Sequence, residues 1–195
     1  PRVKPKFATL EAAKPIEDLN ARLKVLVAGQ DKAGEFYRLF HYSLFSYISH
    51  RIPEISDELY RVDDAMMAGF GWEIGAFESW DVLGVAKTAE AMKAAGYKVA
   101  PWVEEMLAAG NKSFFKIEAG KKHSYDPATK TYKALPGGEA FIVMSNQTDK
   151  QIWKNSSCRL YELGDEVLGL QWFTKMGSIG SDVLSGIQTA IDKAE

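Results

Sequence analysis

Between Val62 and Gly84 the chain reads VDDAMMAGFGWEIGAFESWDVLG, an ordered string of an acid pair, glycine turns and four large aromatics that constrains the fold more than any other segment. Gly69, Gly71 and Gly75 fall where a helix ends and the chain must turn, since glycine adopts positive φ without steric cost. Phe70, Trp72, Phe77 and Trp80 are expected inside, because aromatics dominate cores. Asp63, Glu78 and Asp81 are suited to capping or pinning the segment, as a carboxylate satisfies the free amides of a helix start. Taken singly, each residue has a structural explanation. Only the order is specific.

Upstream and downstream, as far as Gly110, apolar residues recur at the helical period. Ile16, Leu19, Leu23 and Leu26 form one stripe, ended by Gly29. Phe36, Leu39, Phe40, Leu44, Tyr47 and Ile48 form a richer one, ended by Pro53. Ile55, Leu59, Val62 and Met66 form a third. A fourth helix is predicted over Ala86 to Ala95, and a fifth opens at Pro101, the favoured first helical position, and closes at Gly110. Beyond Gly110 the pattern changes. Ser113 to Ile117 and Thr131 to Leu135 are β-prone around Tyr125, Asp126 and Pro127, which predicts a two-stranded hairpin. Pro136 to Ser156, with Gly137, Gly138 and the polar run Ser145 to Lys150, reads as a linker. Leu160 to Leu163 and Val167 to Phe173 flank a Gly164-Asp165 turn and predict a second hairpin. Ser181 or Asp182 then caps a helix over Val183 to Ala194 with Val183, Leu184, Ile187 and Ile191 on one face. The expected domains are therefore residues 1–135, a linker at 136–156, and the start of a further domain at 157–195.

Composition narrows the partners. The 195 residues are 46% hydrophobic and 12% aromatic, enough for a real core. With 24 basic and 26 acidic residues the net charge is −2, which disfavours nucleic acid. The basic residues Arg2, Lys4, Lys6, Lys121 and Lys122 read as solvated surface. The single cysteine, Cys158, excludes an internal disulfide framework and fits a reducing cytosol, so a cytoplasmic location is expected. No apolar run reaches the about 18 residues of a membrane span, and the chain, beginning at Pro1 without methionine, reads as an excised piece.

The string at Val62 to Gly84 resembles the C-terminal helical domain of the 3-hydroxyacyl-CoA dehydrogenases. That family's usual form is an Asp, an Ala-Met pair, Gly-Phe-Gly, then Gly-Pro-Phe-Glu running into a short helix and Asp-x-x-Gly. Here these are Asp63 or Asp64, Ala65 and Met66, Gly69, Phe70 and Gly71, Gly75 to Glu78, then Asp81 and Gly84, with Ala76 where the family has Pro. Trp80 sits within the same short helix. Ser113, Phe114 and Phe115 match the family's Ser-Phe-Tyr with Phe for Tyr, and Ser157 to Glu195 is similar to the first hairpin and helix of the enoyl-CoA hydratase, or crotonase, fold, with Gly177, Ser178 and Ile179 in place of its Asn-Ala-Leu. The resemblance implies a mainly α fold: a dehydrogenase-type helical bundle, a β-hairpin, then an incomplete crotonase-like hairpin plus helix. It implies that the intact protein is a bifunctional enzyme of fatty-acid β-oxidation. That protein would use NAD, act on acyl-CoA, and carry a first helical repeat and a dinucleotide-binding domain upstream and a crotonase domain downstream.

Chemistry is not expected within these residues. No G-x-G-x-x-G follows a strand, so no NAD site is predicted here. His41 and His50 lie on one helix without an orienting carboxylate, His123 sits in a lysine-rich loop, and Cys158 has no histidine nearby. No H-E-x-x-H or cysteine pair offers a metal site, and Glu104 and Glu105 are helical surface charges. The Gly-Phe-x-x-Asn-Arg segment of the family's first, active-site-facing repeat is missing between Glu35 and Arg51. These residues therefore read as the second repeat, expected to associate as a homodimer when alone. A non-enzymatic helical interaction module is the rival reading, and a free-standing acyl-CoA carrier would need a basic and aromatic cluster for the nucleotide.

Overall fold

In a computed structural model, which describes residues 5–138 and 140–195, the chain divides into two compact units. The first holds the residues up to Lys116 together with His123–Ala134, and the second holds Ile117–Lys122 and Leu135–Glu195. Arg2 and Lys4 of the basic group lie outside the described residues.

Among the described residues, seven helices build the first unit: α1 (Ala8–Ala13), α2 (Leu19–Ala28), α3 (Lys32–His50), α4 (Leu59–Phe70), α5 (Ala76–Leu83), α6 (Val85–Ala94) and α7 (Pro101–Ala108). Their starts follow local chemistry. Asp18 accepts the Ala21 amide at 2.7 Å, and Asp31 accepts those of Ala33 and Gly34, each at 3.1 Å. Asp31 also takes the Thr9 amide at 3.0 Å, tying α1 to α3, and these donors lower its carboxyl to about 2. Pro101 opens α7 as its position requires. Gly71 ends α4 in the left-handed conformation at φ 66°, which a side chain would strain.

The core is aromatic. Phe45 and Trp80 stack face to face, 4.8 Å apart and 3° from parallel, while Phe114 meets Phe77 at 5.1 Å and Trp80 at 5.2 Å. All four rings are fully buried, surrounded by Leu59, Met92, Val103 and Met106. Two sequence expectations need correction. Phe70 is 73% exposed rather than buried, because it is the last residue of α4 and the chain turns at Gly71. On α3 the buried face is His41, Tyr42, Phe45, Ile48 and Ser49, whereas Phe36, Leu39, Phe40 and Tyr47 point outward. This helix is apolar on both sides, so the richer stripe did not identify the inner one.

The expected two-stranded hairpin is a three-stranded sheet in the order β1 (Phe115–Glu118), β2 (Lys121–Asp126), β3 (Thr131–Ala134). Its extra strand arises because the lysine-rich stretch after Gly120, read as a turn, pairs: β2 runs antiparallel to β3 with Tyr125 opposite Tyr132.

The second unit carries an antiparallel sheet, β4 (Gln151–Lys154), β5 (Cys158–Gly164) and β6 (Val167–Trp172), followed by α8 (Ser181–Ala194). The hairpin about Gly164 and Asp165 lies where the sequence places it. The third strand, β4, falls inside the 136–156 stretch read as a linker. Ile152 and Trp153 follow the polar run at once, and the Asn155 side chain turns the chain by accepting the amides of Ser157 and Cys158 at 2.9 and 2.7 Å. On α8 only Val183 and Gly186 are buried, while Leu184, Ile187 and Ile191 are exposed, so the predicted single face is not the packed one. Neither Ser181 nor Asp182 caps α8; Gly180 precedes it without a side-chain bond.

Replacing Phe77 or Trp80 by Ala is expected to cost about 3–5 kcal/mol, the usual penalty for a buried aromatic. Phe70→Ala should stay within about 0.5 kcal/mol. Urea unfolding of the three variants checks the contrast, and equal losses would contradict the burial assigned to each ring.

Candidate functional site

Six of the ten singled-out residues come together around α5. The Asp63 carboxylate, 3% exposed on α4, accepts the Phe77 amide at 2.8 Å and the Glu78 amide at 2.9 Å, so it caps the helix that begins beyond Gly75. Gly75 permits this approach: a Cβ there would lie 2.1 Å from the Asp63 carboxyl carbon. Two turns on, Asp81 accepts the amides of Phe114 at 2.7 Å and Phe115 at 2.9 Å, fixing the start of β1 to α5. Phe77 and Trp80 point into the core between these carboxylates, and the Trp80 indole N–H finds no partner. Gly69 and Phe70 complete the end of α4, Gly71 terminates it, and Gly84, at φ 87°, joins α5 to α6. The string is therefore an architectural latch: two carboxylates holding backbone amides across an aromatic core.

Burial is the largest influence on Asp81 and pushes its carboxyl from an ordinary 3.8 up to about 7. The two amides oppose that shift, and the nearby charges of Asp63 and Glu78 add to it. His41 and His50 each place Nδ1 2.7 Å from the carbonyl four residues earlier, Tyr37 and Ser46 respectively, so both rings are tied to their own helix. Cys158 is fully buried, and burial, with a smaller contribution from Asp182, raises its thiol, which suppresses nucleophilic character.

One concavity of the first unit was not foreseen. A cleft of about 780 Å³ lies between residues 52–61, Trp102 and residues 124–134. Four of its five charged side chains pair among themselves: Arg61 bonds Glu58 and Lys133 bonds Asp126, while Asp57 is the fifth; the Tyr60 hydroxyl also donates to Glu58 at 3.2 Å. The lining includes no histidine or cysteine, and no nucleophile–base pair forms there. Three separated segments build it, and none carries a spacing that could have revealed it.

Among the described residues no three His, Cys, Asp or Glu side chains are grouped for a metal ion, and no helix is long and apolar enough to cross a membrane. Both sheets are antiparallel, so among the described residues no helix between parallel strands presents its N-terminus to a pyrophosphate.

Because folded Asp81 keeps a proton that the unfolded chain loses, its contribution to stability is complete below pH about 3.8 and is gone once pH has risen through about 7. Relative to Asp81→Asn, the wild-type chain should lose up to about 1.4 kcal/mol per pH unit between these limits. Parallel stability–pH curves for the two proteins would refute the assignment.

No protein-family profile matches the chain, and no solved structure does. The chain is 34% identical over 196 aligned positions, covering all of its length, to a protein of Bacillus subtilis (strain 168) named probable 3-hydroxyacyl-CoA dehydrogenase. It spans about a quarter (25%) of that relative's length. Its similarity is thus to one segment of a dehydrogenase-related protein.

Proposed function

We propose that this chain is the second C-terminal helical repeat of a 3-hydroxyacyl-CoA dehydrogenase, followed by the beginning of an enoyl-CoA hydratase domain, from a bifunctional enzyme of fatty-acid β-oxidation. The observation that carries the reading is the full-length similarity to a quarter of a probable 3-hydroxyacyl-CoA dehydrogenase, in a chain whose Val62–Gly84 string follows the dehydrogenase order. In this reading the intact protein oxidises 3-hydroxyacyl-CoA with NAD bound elsewhere, in the cytoplasm, and the repeat supplies scaffold and association surface rather than reacting groups. The latch of Asp63 and Asp81 suits that role, since both carboxylates are spent on backbone amides.

The helical part also has a surface to offer a partner. Phe36, Leu39, Phe40 and Tyr47 on α3 and Phe70 at the end of α4 are exposed, with Phe36 and Phe40 stacked on one another at 6.4 Å. Apolar groupings of this kind usually mark interfaces. The first helical repeat would cover them in the intact protein, and a second copy would do so in the isolated chain, with two-fold symmetry.

The purified chain should neither reduce NAD with 3-hydroxybutyryl-CoA nor hydrate crotonyl-CoA, and turnover above blank in either assay would overturn its assignment as a non-catalytic repeat. Sedimentation at tens of micromolar should give a dimer that survives deletion of Ser157–Glu195. A monomer, or a dimer lost with that segment, would contradict association through α3.

A further inference from the structure

A second, smaller pocket of the first unit has a chemistry distinct from the mixed-charge cleft. About 250 Å³ in volume, it is walled by Leu23 and Leu26 of α2, Phe40 and His41 of α3, and Trp72 and Ile74 of the turn between α4 and α5. Its polar groups are few. Arg22 and Glu73 face one another at 3.8 Å on the partly exposed rim, and Arg22 also donates to the Ile16 carbonyl at 3.3 Å. Ser79 Oγ donates to the Gly75 carbonyl at 2.6 Å, so its proton is committed.

His41 is the exception. The residue is 7% exposed, and its Nδ1 lies 2.7 Å from the Tyr37 carbonyl oxygen. A carbonyl only accepts, so the ring proton sits on Nδ1. Burial lowers the affinity of the ring for a second proton, the Tyr37 carbonyl opposing this to a lesser degree. Nε2 therefore carries a lone pair and is the one acceptor the ring has left to offer. Aromatic neighbours hold the imidazole in place: Tyr37 stacks on it at 6.4 Å and Phe40 meets it edge-on at 5.2 Å.

We propose that this pocket binds a small uncharged ring compound bearing a single hydrogen-bond donor, of the indole or phenol class, with its donor on His41 Nε2. The volume lies just below the roughly 300–1,000 Å³ of pockets for drug-sized ligands, which suits one or two fused rings. An ionic ligand would lose its hydration against an apolar wall whose only charges already face each other. A ring without a donor would fill the space but make no hydrogen bond to Nε2.

The test uses the whole 195-residue chain, titrated with indole and with 1-methylindole, which has the same ring but no N–H. Binding is followed by the amide and indole ¹H–¹⁵N shifts, the Trp72 signal among them. Indole should bind about five-fold more tightly than 1-methylindole, the worth of one neutral hydrogen bond. His41→Phe should bring the two probes to equal affinity, and Leu26→Trp, at a half-buried position of the wall, should abolish the binding of both. Absence of saturable shifts up to the solubility limit, equal affinities in the wild-type chain, or undiminished binding to Leu26→Trp would overturn the proposal. The wild-type comparison of the two probes decides the matter even if His41→Phe fails to fold.

Discussion

The buried carboxylate of Asp63 is the interaction on which the first unit depends. A short helix such as α5 gains little from its own hydrogen bonds, and its first amides need a partner when they start inside the protein. Asp63 supplies that partner from the preceding helix, at 2.8 and 2.9 Å, and so sets the direction in which α5 leaves the turn. From that direction follows the placement of Phe77 and Trp80 against Phe45 and Phe114. Asp81 repeats the device at the far end of the same helix and carries it on to the strand that begins the first sheet. Two carboxylates thus organise backbone from three regions of the chain while the aromatic rings fill the space they leave.

Such a use of acid residues bears on function by subtraction. Asp63 and Asp81 are both turned onto backbone amides, and neither lines the cleft or the smaller pocket where a substrate could meet it. His41 and His50 each bond through Nδ1 to the carbonyl one turn back on α3, and the cysteine is sealed between sheet and helix. What the molecule keeps available is surface: a mixed-charge cleft, a small apolar pocket, and an outward aromatic face on α3. That inventory fits a scaffold and contact domain within a larger enzyme, as proposed above.

Much of this was legible in the residues. The helix start at Pro101, the turn at Gly71 and the hairpin at Gly164 are all local events, written in residues that act within a few positions of themselves, whereas the caps at Asp18 and Asp31, equally local, went unread. The roles of Asp63 and Asp81 as pins were readable in kind but not in partner, because their donors lie 14 and 33 residues away. The inner face of α3 was not readable. Phe36 and Phe40 outweigh Tyr42 and Phe45 in any count of apolar stripes, and only the position of Trp80 decides which side is covered. The same ambiguity recurs on α8, where Val183 is packed and its neighbour Leu184 is bare. β4 was hidden because four residues after a polar run carry too little pattern to outweigh it. The 780 Å³ cleft had no sequence signal at all, since it is a product of where three distant segments end.

The contact between Asp63 and Gly75 has a genetic consequence. Any side chain at position 75 would occupy the volume of the carboxylate, with the nearest atom at 2.1 Å. Removing that carboxylate would make room, yet it would strand the two amides that it holds. No single replacement at either position is neutral, and no obvious double replacement restores what is lost. Drift at the two sites is therefore blocked from both directions, and the pair should be inherited as one character even where the surrounding helices diverge.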